Sequence, residues 1–289
     1  MRNDVTLDDG VYGCRAVLRA GWDNSLVGYL TSNQVVELEL NQAKGWRGSD
    51  LSFLTELPNL KLFEIFDFSI KDILPIHSLR ELRTLGITTY CSTEICFSAF
   101  PNLQSCGLEW RPKATSLFDC STMVKLFVNR YKAKHADEFA KLVNLESLTI
   151  LNAPVETLRG LSVLKKLQSL RLGNLRRLTS LAGIEGLTAL EELDMEACRK
   201  IGSIDEVGSL PRLKKLFPSN DGAIETLAPL EKLGQLERVT FVESTNILDG
   251  DLSPLLRQKY LSRVSFQNRR HYSHRREDLA LLLHRVTNE

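Results

Sequence analysis

The sequence has no run of about 18 uncharged apolar residues, the least that crosses a bilayer, so it predicts no membrane span. Met1 to Gly10 are polar and acidic, with no apolar stretch among them, which predicts no signal peptide and a cytoplasmic chain. Net charge is nearly absent too: 37 Lys and Arg against 36 Asp and Glu leave +1, an ordinary soluble balance. Neither G-x-x-x-x-G-K-S/T nor G-x-G-x-x-G occurs, so no nucleotide cofactor is expected. Cys91, Cys96, Cys106 and Cys120 are separated by 4, 9 and 13 residues, which gives no C-x₂-C pair for zinc. With no secretion signal, the six cysteines read as reduced thiols that mostly fill core positions. The five histidines (His77, His135, His271, His274 and His284) sit in no nucleophile motif, and His271-x-x-His274 supplies too few ligands for a metal. The expectation is therefore no catalytic residue, no metal and no cofactor. A triad is assembled in space rather than in sequence, so an enzyme with an unrecognised site stays as an alternative.

What is present is a repeat. Leu145-x-x-Leu148-x-Ile150 returns as Leu167-x-x-Leu170-x-Leu172, as Leu190-x-x-Leu193-x-Met195 and, weakened, as Leu213-x-x-Leu216-x-Pro218, at spacings of 22, 23 and 23 residues. A period of roughly 20–29 headed by L-x-x-L-x-L is the leucine-rich-repeat signature. Leu148 and Ile150, two apart, share one face of a short strand. Beyond the strand, Leu172, Leu175, Leu178, Leu181, Ile184, Leu187 and Leu190 recur every third residue, the 3₁₀ period. One unit buries about six such side chains at roughly 1.5–3 kcal/mol each. Ordering about 22 backbones costs roughly 1–2 kcal/mol each. A lone unit cannot fold, whereas stacked units share a continuous core.

Heads at Val35, Leu60, Leu82, Leu103, Met123, Leu145, Leu167, Leu190, Leu213, Leu236 and Leu261 predict about eleven repeats over 35–267. Residues 1–34 read as an N-terminal cap, with a strand from Cys14 and a helix after Asp23, Asn24 and Ser25. Residues 268–289 read as a C-terminal capping helix, begun by Ser273, with Leu279, Leu282, Leu283 and Val286 on one face. Ala136 to Leu142 reads as a short true helix. The longer units near Trp46 and Ile247 to Asp251 should carry enlarged loops.

The L-x-x-L-x-L heads with threefold backs resemble the internalin-like class of short bacterial leucine-rich-repeat proteins, and the ends of the chain resemble those of small cytosolic members. The resemblance implies an α/β repeat solenoid: a leucine-rich-repeat horseshoe with a parallel concave β-sheet and a mostly 3₁₀ or extended convex side. It also implies a protein partner on the concave face, with an immunity or adaptor role against a cognate toxin or effector. The chain is expected to be a monomer. Members often carry Asn at the ninth repeat position, where its amide bonds the backbone along the stack. Here Ala153, Leu175, Cys198 and Asp221 occupy that place, so the corners must be satisfied otherwise.

If the leucines point inward, positions three, five, seven and eight face the concave side. The first two units then give an acidic end: Glu37, Glu39, Glu64 and Asp67, with Phe66 nearby. The fourth and fifth give Glu109, Trp110, Phe127 and Arg130, residue types that dominate binding hot spots. An alternative is that the irregular middle units shift register and turn Trp110 or Phe127 into the core. Lys215, Arg238 and Arg263 form a third-position column of like charge, which suits an acidic partner surface, together with Arg269 and Arg270. Glu192 and Glu243 are placed to neutralise it. From Arg257 to Glu289, eight basic residues stand against three acidic ones, so nucleic-acid binding through that end is the other alternative.

Overall fold

Every one of the eleven heads carries a strand, beginning two residues after its first apolar position except at Val35, where the strand starts on the head itself. The computed structural model describes residues 4–286 and divides into two compact units, Met1–Val128 and Asn129–Glu289. In the first unit, β1 (Val5–Asp9) and β2 (Cys14–Leu18) form an antiparallel hairpin, and helix α1 (Ser25–Ser32) follows. Strands β3 (Val35–Asn41), β4 (Leu62–Phe66), β5 (Thr84–Thr88) and β6 (Ser105–Glu109) then add in parallel to β2, and the unit ends within β7 (Lys125–Asn129), at Val128. The second unit stacks β8 (Ser147–Leu151), β9 (Ser169–Gly173), β10 (Glu192–Glu196) and β11 (Lys215–Ser219). A two-residue strand β12 (Ala223–Ile224) follows, then β13 (Arg238–Phe241), which pairs with β11. Strand β14 (Asn246–Ile247) pairs with β12, helix α2 (Ser253–Leu256) follows, and β15 (Arg263–Phe266) completes the ladder on β13. Helix α3 (Arg276–Val286) comes last.

The two periods in the sequence explain this arrangement. Alternation buries Leu148, Ile150, Leu170, Leu172, Leu193 and Met195 completely. Threefold spacing buries Leu158, Leu161, Leu164 and Leu167 through a 3₁₀ turn at Arg159–Val163, because side chains three apart eclipse on that helix. Asp137–Lys141 is also 3₁₀ rather than the true helix expected there. The apolar spacing across Ala136, Phe139 and Leu142, all buried, is again three, which an α-helix would spread over its surface.

The ends differ in detail from the sequence reading. The strand expected from Cys14 is present but has an antiparallel partner, β1. Asp23, one residue before the helix N-cap Asn24, accepts the Ser25 N–H at 2.8 Å, and Leu26 and Leu30 are buried beneath α1. At the other end Ser273 is not the cap of α3. Its hydroxyl accepts the Leu252 N–H at 2.9 Å, and Asn268 instead accepts the Arg276 N–H at 2.8 Å. Leu279 is buried, while Leu282 is 37% exposed. The side chains of Leu283 and Val286, expected on the same face, lie outside the described residues.

Candidate functional site

With the leucines inside, the odd positions of each strand form an open face. In the first unit the register sets Glu37 beside Leu62, Leu62 beside Thr84, and Thr84 beside Ser105. The expected acidic end is largely closed. Glu37 and Asp67 are fully buried, and Glu39 is 5% exposed. The cause is the β1–β2 hairpin, whose turn folds over the face. The Tyr12 N–H donates to the Glu37 carboxylate, and the Tyr12 hydroxyl lies 3.0 Å from Thr84 Oγ1. Arg15 of β2 reaches Glu39 at 2.6 Å and Glu64 at 2.9 Å, and Lys44 reaches Glu39 at 2.7 Å. Burial pushes the Glu39 carboxyl up, but bonds from Lys44, Arg15 and Asn41 outweigh it and hold the group below its usual range. Asp67 serves the corner, accepting Gln42 Nε2 at 2.6 Å and the Ser69 N–H at 2.7 Å. Of the four acids, Glu64 keeps an exposed carboxylate.

Two aromatic residues stand on this open face. Phe66 is 40% and Phe127 42% exposed, so the middle units keep their register. Leu126 and Val128, on either side of Phe127, are buried. Trp110 is half-buried and leans on the buried ring of Phe118, with centroids 5.6 Å apart. Glu109 is half-buried, and Arg130 is exposed with a left-handed backbone, φ 60°. The sequence reading missed Phe68 and Tyr90. Phe66 meets Phe68 edge-on at 5.0 Å, and Phe68 stacks on Tyr90 at 4.4 Å. Both missed residues occupy the ninth position of adjacent repeats, a signal present in the periodicity. Tyr12 was also legible, because Gly10-Val11-Tyr12-Gly13 between alternating stretches is a hairpin pattern.

In the second unit, Lys215, Arg238 and Arg263 stand in register. Lys215 is paired with Glu192 at 3.1 Å, and Arg238 stacks over the Phe217 ring at 5.2 Å. Arg269 does not extend the column. It donates to the carbonyls of Glu243 and Thr245 at 3.1 and 3.0 Å. Two strands before Lys215, Arg171 of β9 joins Asp194 at 3.2 Å and Glu196 at 3.0 Å. Burial raises the Asp194 carboxyl, against the lowering influence of Arg171.

The corners are satisfied without a ninth-position asparagine ladder. Arg130, Asn152, Asn174, Ala197, Asn220 and Glu243 each turn the chain with positive φ at the eighth position. Exposed amides link Asn174 to Asn152 at 2.5 Å and Asn152 to Asn129 at 2.8 Å. Buried Arg111 bonds Thr89 Oγ1 at 2.9 Å and the Cys91 carbonyl at 3.1 Å. Cys106 and Cys198 pack as apolar core residues, and burial raises both thiols, Cys198 to about 12. His77 lines a surface hollow of about 370 Å³ with Cys96 and Glu94. Its Nε2 accepts the Cys96 N–H and its Nδ1 faces the Leu74 carbonyl, each at 2.9 Å, so the ring is committed to the backbone.

No family model and no curated protein sequence matches the chain. Solved structures do. An internalin, inlF, from Listeria monocytogenes superposes with a TM-score of 0.63 over 89% of this chain and 83% of its own, at 19% identity. The functional domain of InlJ from Listeria monocytogenes, which includes a cysteine ladder, gives 0.52 over 83% of this chain at 16% identity, and this chain spans 61% of it. No described helix is long and apolar enough to cross a membrane. The chain has the internalin-like leucine-rich-repeat fold.

Proposed function

We propose that this is a non-enzymatic protein-binding scaffold that takes a partner on the open face of its strands, in an immunity or adaptor role. The observation that carries the reading is the exposure of Phe66 and Phe127, 40% and 42%, on strands whose alternate residues are buried. Large rings held out on a rigid sheet and rimmed by charge are what binding hot spots are made of. Trp110, Glu109 and Glu64 belong to the same proposal, as do Arg130, Lys215, Arg238 and Arg263 in the second unit. Glu39 acts behind the face, by holding Arg15. Cys106 and Cys198, used as core-filling thiols, support a reducing, cytosolic setting.

The test is capture from native lysate, with and without nuclease, by wild type and by Phe66→Ala/Phe127→Ala. Both rings are already partly exposed, so the fold should survive their removal. A nuclease-resistant, stoichiometric partner lost in the variant, at about 2–4 kcal/mol per ring, supports the reading. Retention of the partner at wild-type affinity, or recovery of nucleic acid instead, refutes it.

A further inference from the structure

The open face of the first unit has a bare floor. Gly86 and Gly107, both at the fifth position, are direct neighbours on β5 and β6. Neither glycine has a left-handed backbone, so neither is required by its φ. A Cβ on Gly86 would press on Glu64 Cγ at 3.0 Å, so this glycine makes room for the stem of a side chain whose carboxylate Arg15 holds. A Cβ on Gly107 would meet nothing closer than Phe127 Cβ at 3.9 Å, an ordinary contact. Other glycines here are sterically obliged: at Gly186 the added atom would lie 2.0 Å from the Ser162 carbonyl oxygen, and at Gly250 2.1 Å from that of His271. Glycine inside a strand is unfavourable relative to a residue with a side chain, because more backbone freedom is lost on folding. At Gly107 packing does not demand it and the β5–β6 register has no bulge, which leaves close approach by a ligand or another backbone as its use.

The walls say what fits. Glu64 bounds the floor on one side, with Oε2 held by Arg15 and its side chain 42% exposed. Phe127, with its ring 42% exposed, bounds the other side. The two backbones are roughly 14 Å apart, three strand spacings, which admits one extended side chain lying flat. Glu37 and Glu39 on this side are buried, so Glu64 is the open carboxylate beside the floor, with Arg15 on one of its oxygens. A guanidinium matches both walls, because it donates to a carboxylate and stacks on an aromatic face.

We propose that the Gly86–Gly107 floor is the seat of a single arginine side chain presented by a partner protein. This rests on the binding-face reading and names the chemistry of its contact. The carboxylate of Glu64 takes the guanidinium N–H groups, Phe127 covers its plane, and the glycine backbones leave room for the methylene stem.

The probe is N-acetylarginine amide, titrated against ¹⁵N-labelled protein while the Gly86 and Gly107 amide signals are followed. We expect saturable shifts at both glycines with a Kd on the order of millimolar, and none from N-acetylnorleucine amide. Gly107→Val should abolish the shift at Gly86 without lowering the melting temperature, and Gly107→Ala controls for the bulk of valine. Glu64→Gln should weaken binding about tenfold, the loss of one charged contact. Absence of shifts, equal or tighter binding of N-acetylphenylalanine amide, or a lowered melting temperature in both glycine variants overturns the proposal. Partner capture by wild type and Gly107→Val alike discards the arginine seat and keeps the binding face. Amide shifts with no partner dependent on the face would do the reverse.

Discussion

The Asp221 carboxylate accepts the Cys198 N–H at 2.6 Å, tying one repeat corner to the next from the place where the internalin-like pattern carries asparagine. Asp221 is 1% exposed, and its second oxygen has no hydrogen-bond partner among the described residues. Burial raises its carboxyl from 3.8 to about 7, against the lowering effect of the Cys198 bond. The folded state thus keeps a proton that the unfolded chain releases. This contribution to stability is full below about 3.8 and is lost as pH rises through about 7. The slope approaches about 1.4 kcal/mol per pH unit within that window. Asp221→Asn should remove it, so the melting-temperature gain of the variant over wild type should grow between pH 5 and pH 8. A gain that stays flat would show that the buried carboxyl is not raised.

Arg15 and Lys44 both neutralise Glu39, but Arg15 is the less exposed, at 28% against 45%, and alone also reaches Glu64. Arg15→Ala should destabilise by about 1.5–3 kcal/mol, the scale of charged hydrogen bonds, and Lys44→Ala by less. The lowered Glu39 carboxyl contributes stability above its unfolded value of 4.5, lost as pH falls through its lower folded value. Arg15→Ala should therefore also shrink the loss of stability on acidification. Urea melts at pH 7 and pH 3.5 measure both effects, and a larger effect of Lys44→Ala would contradict this ranking.

Tyr272 closes the last strands. Its ring stands edge-on to Phe241 at 6.2 Å and to Phe266 at 5.9 Å, and its hydroxyl accepts the Ile247 N–H at 3.0 Å. Deleting 268–289 should expose Phe266 and cause aggregation or early melting. Tyr272→Phe should cost only about 1 kcal/mol, the hydroxyl's share. A truncated chain that stays monomeric with an unchanged melting temperature would show that this segment does not act as a cap.

Arg238 and Arg263 face the open side without an acidic partner among the described residues, whereas Lys215 has Glu192. Arg238→Glu with Arg263→Glu should weaken partner binding and flatten its salt dependence, with little change in melting temperature. Titration at 50 and 300 mM salt reads both, and an unchanged salt slope would reduce the column to surface charge.

The two periods were enough to fix the repeats. Position four or six of a head cannot be solvated without breaking the shared core, so Leu148, Leu170 and Leu193 had to point inward, and Phe127 and Arg238 outward by alternation. The exposure of the odd positions was not fixed in this way, because it depends on what else crosses the face. Glu37, Glu39 and Asp67 carry the same pattern as Glu64, yet they are buried because a hairpin turn, Arg15 and Gln42 arrive from elsewhere in the chain. Tyr12 and Thr84 meet across 72 residues of sequence, and Asn268 rather than Ser273 caps the last helix eight residues on. Local spacing decides which side of a strand a residue takes. Whether that side stays open, and whether a carboxylate there meets water, an arginine or an unanswered backbone N–H, is set by long-range contacts that no period encodes.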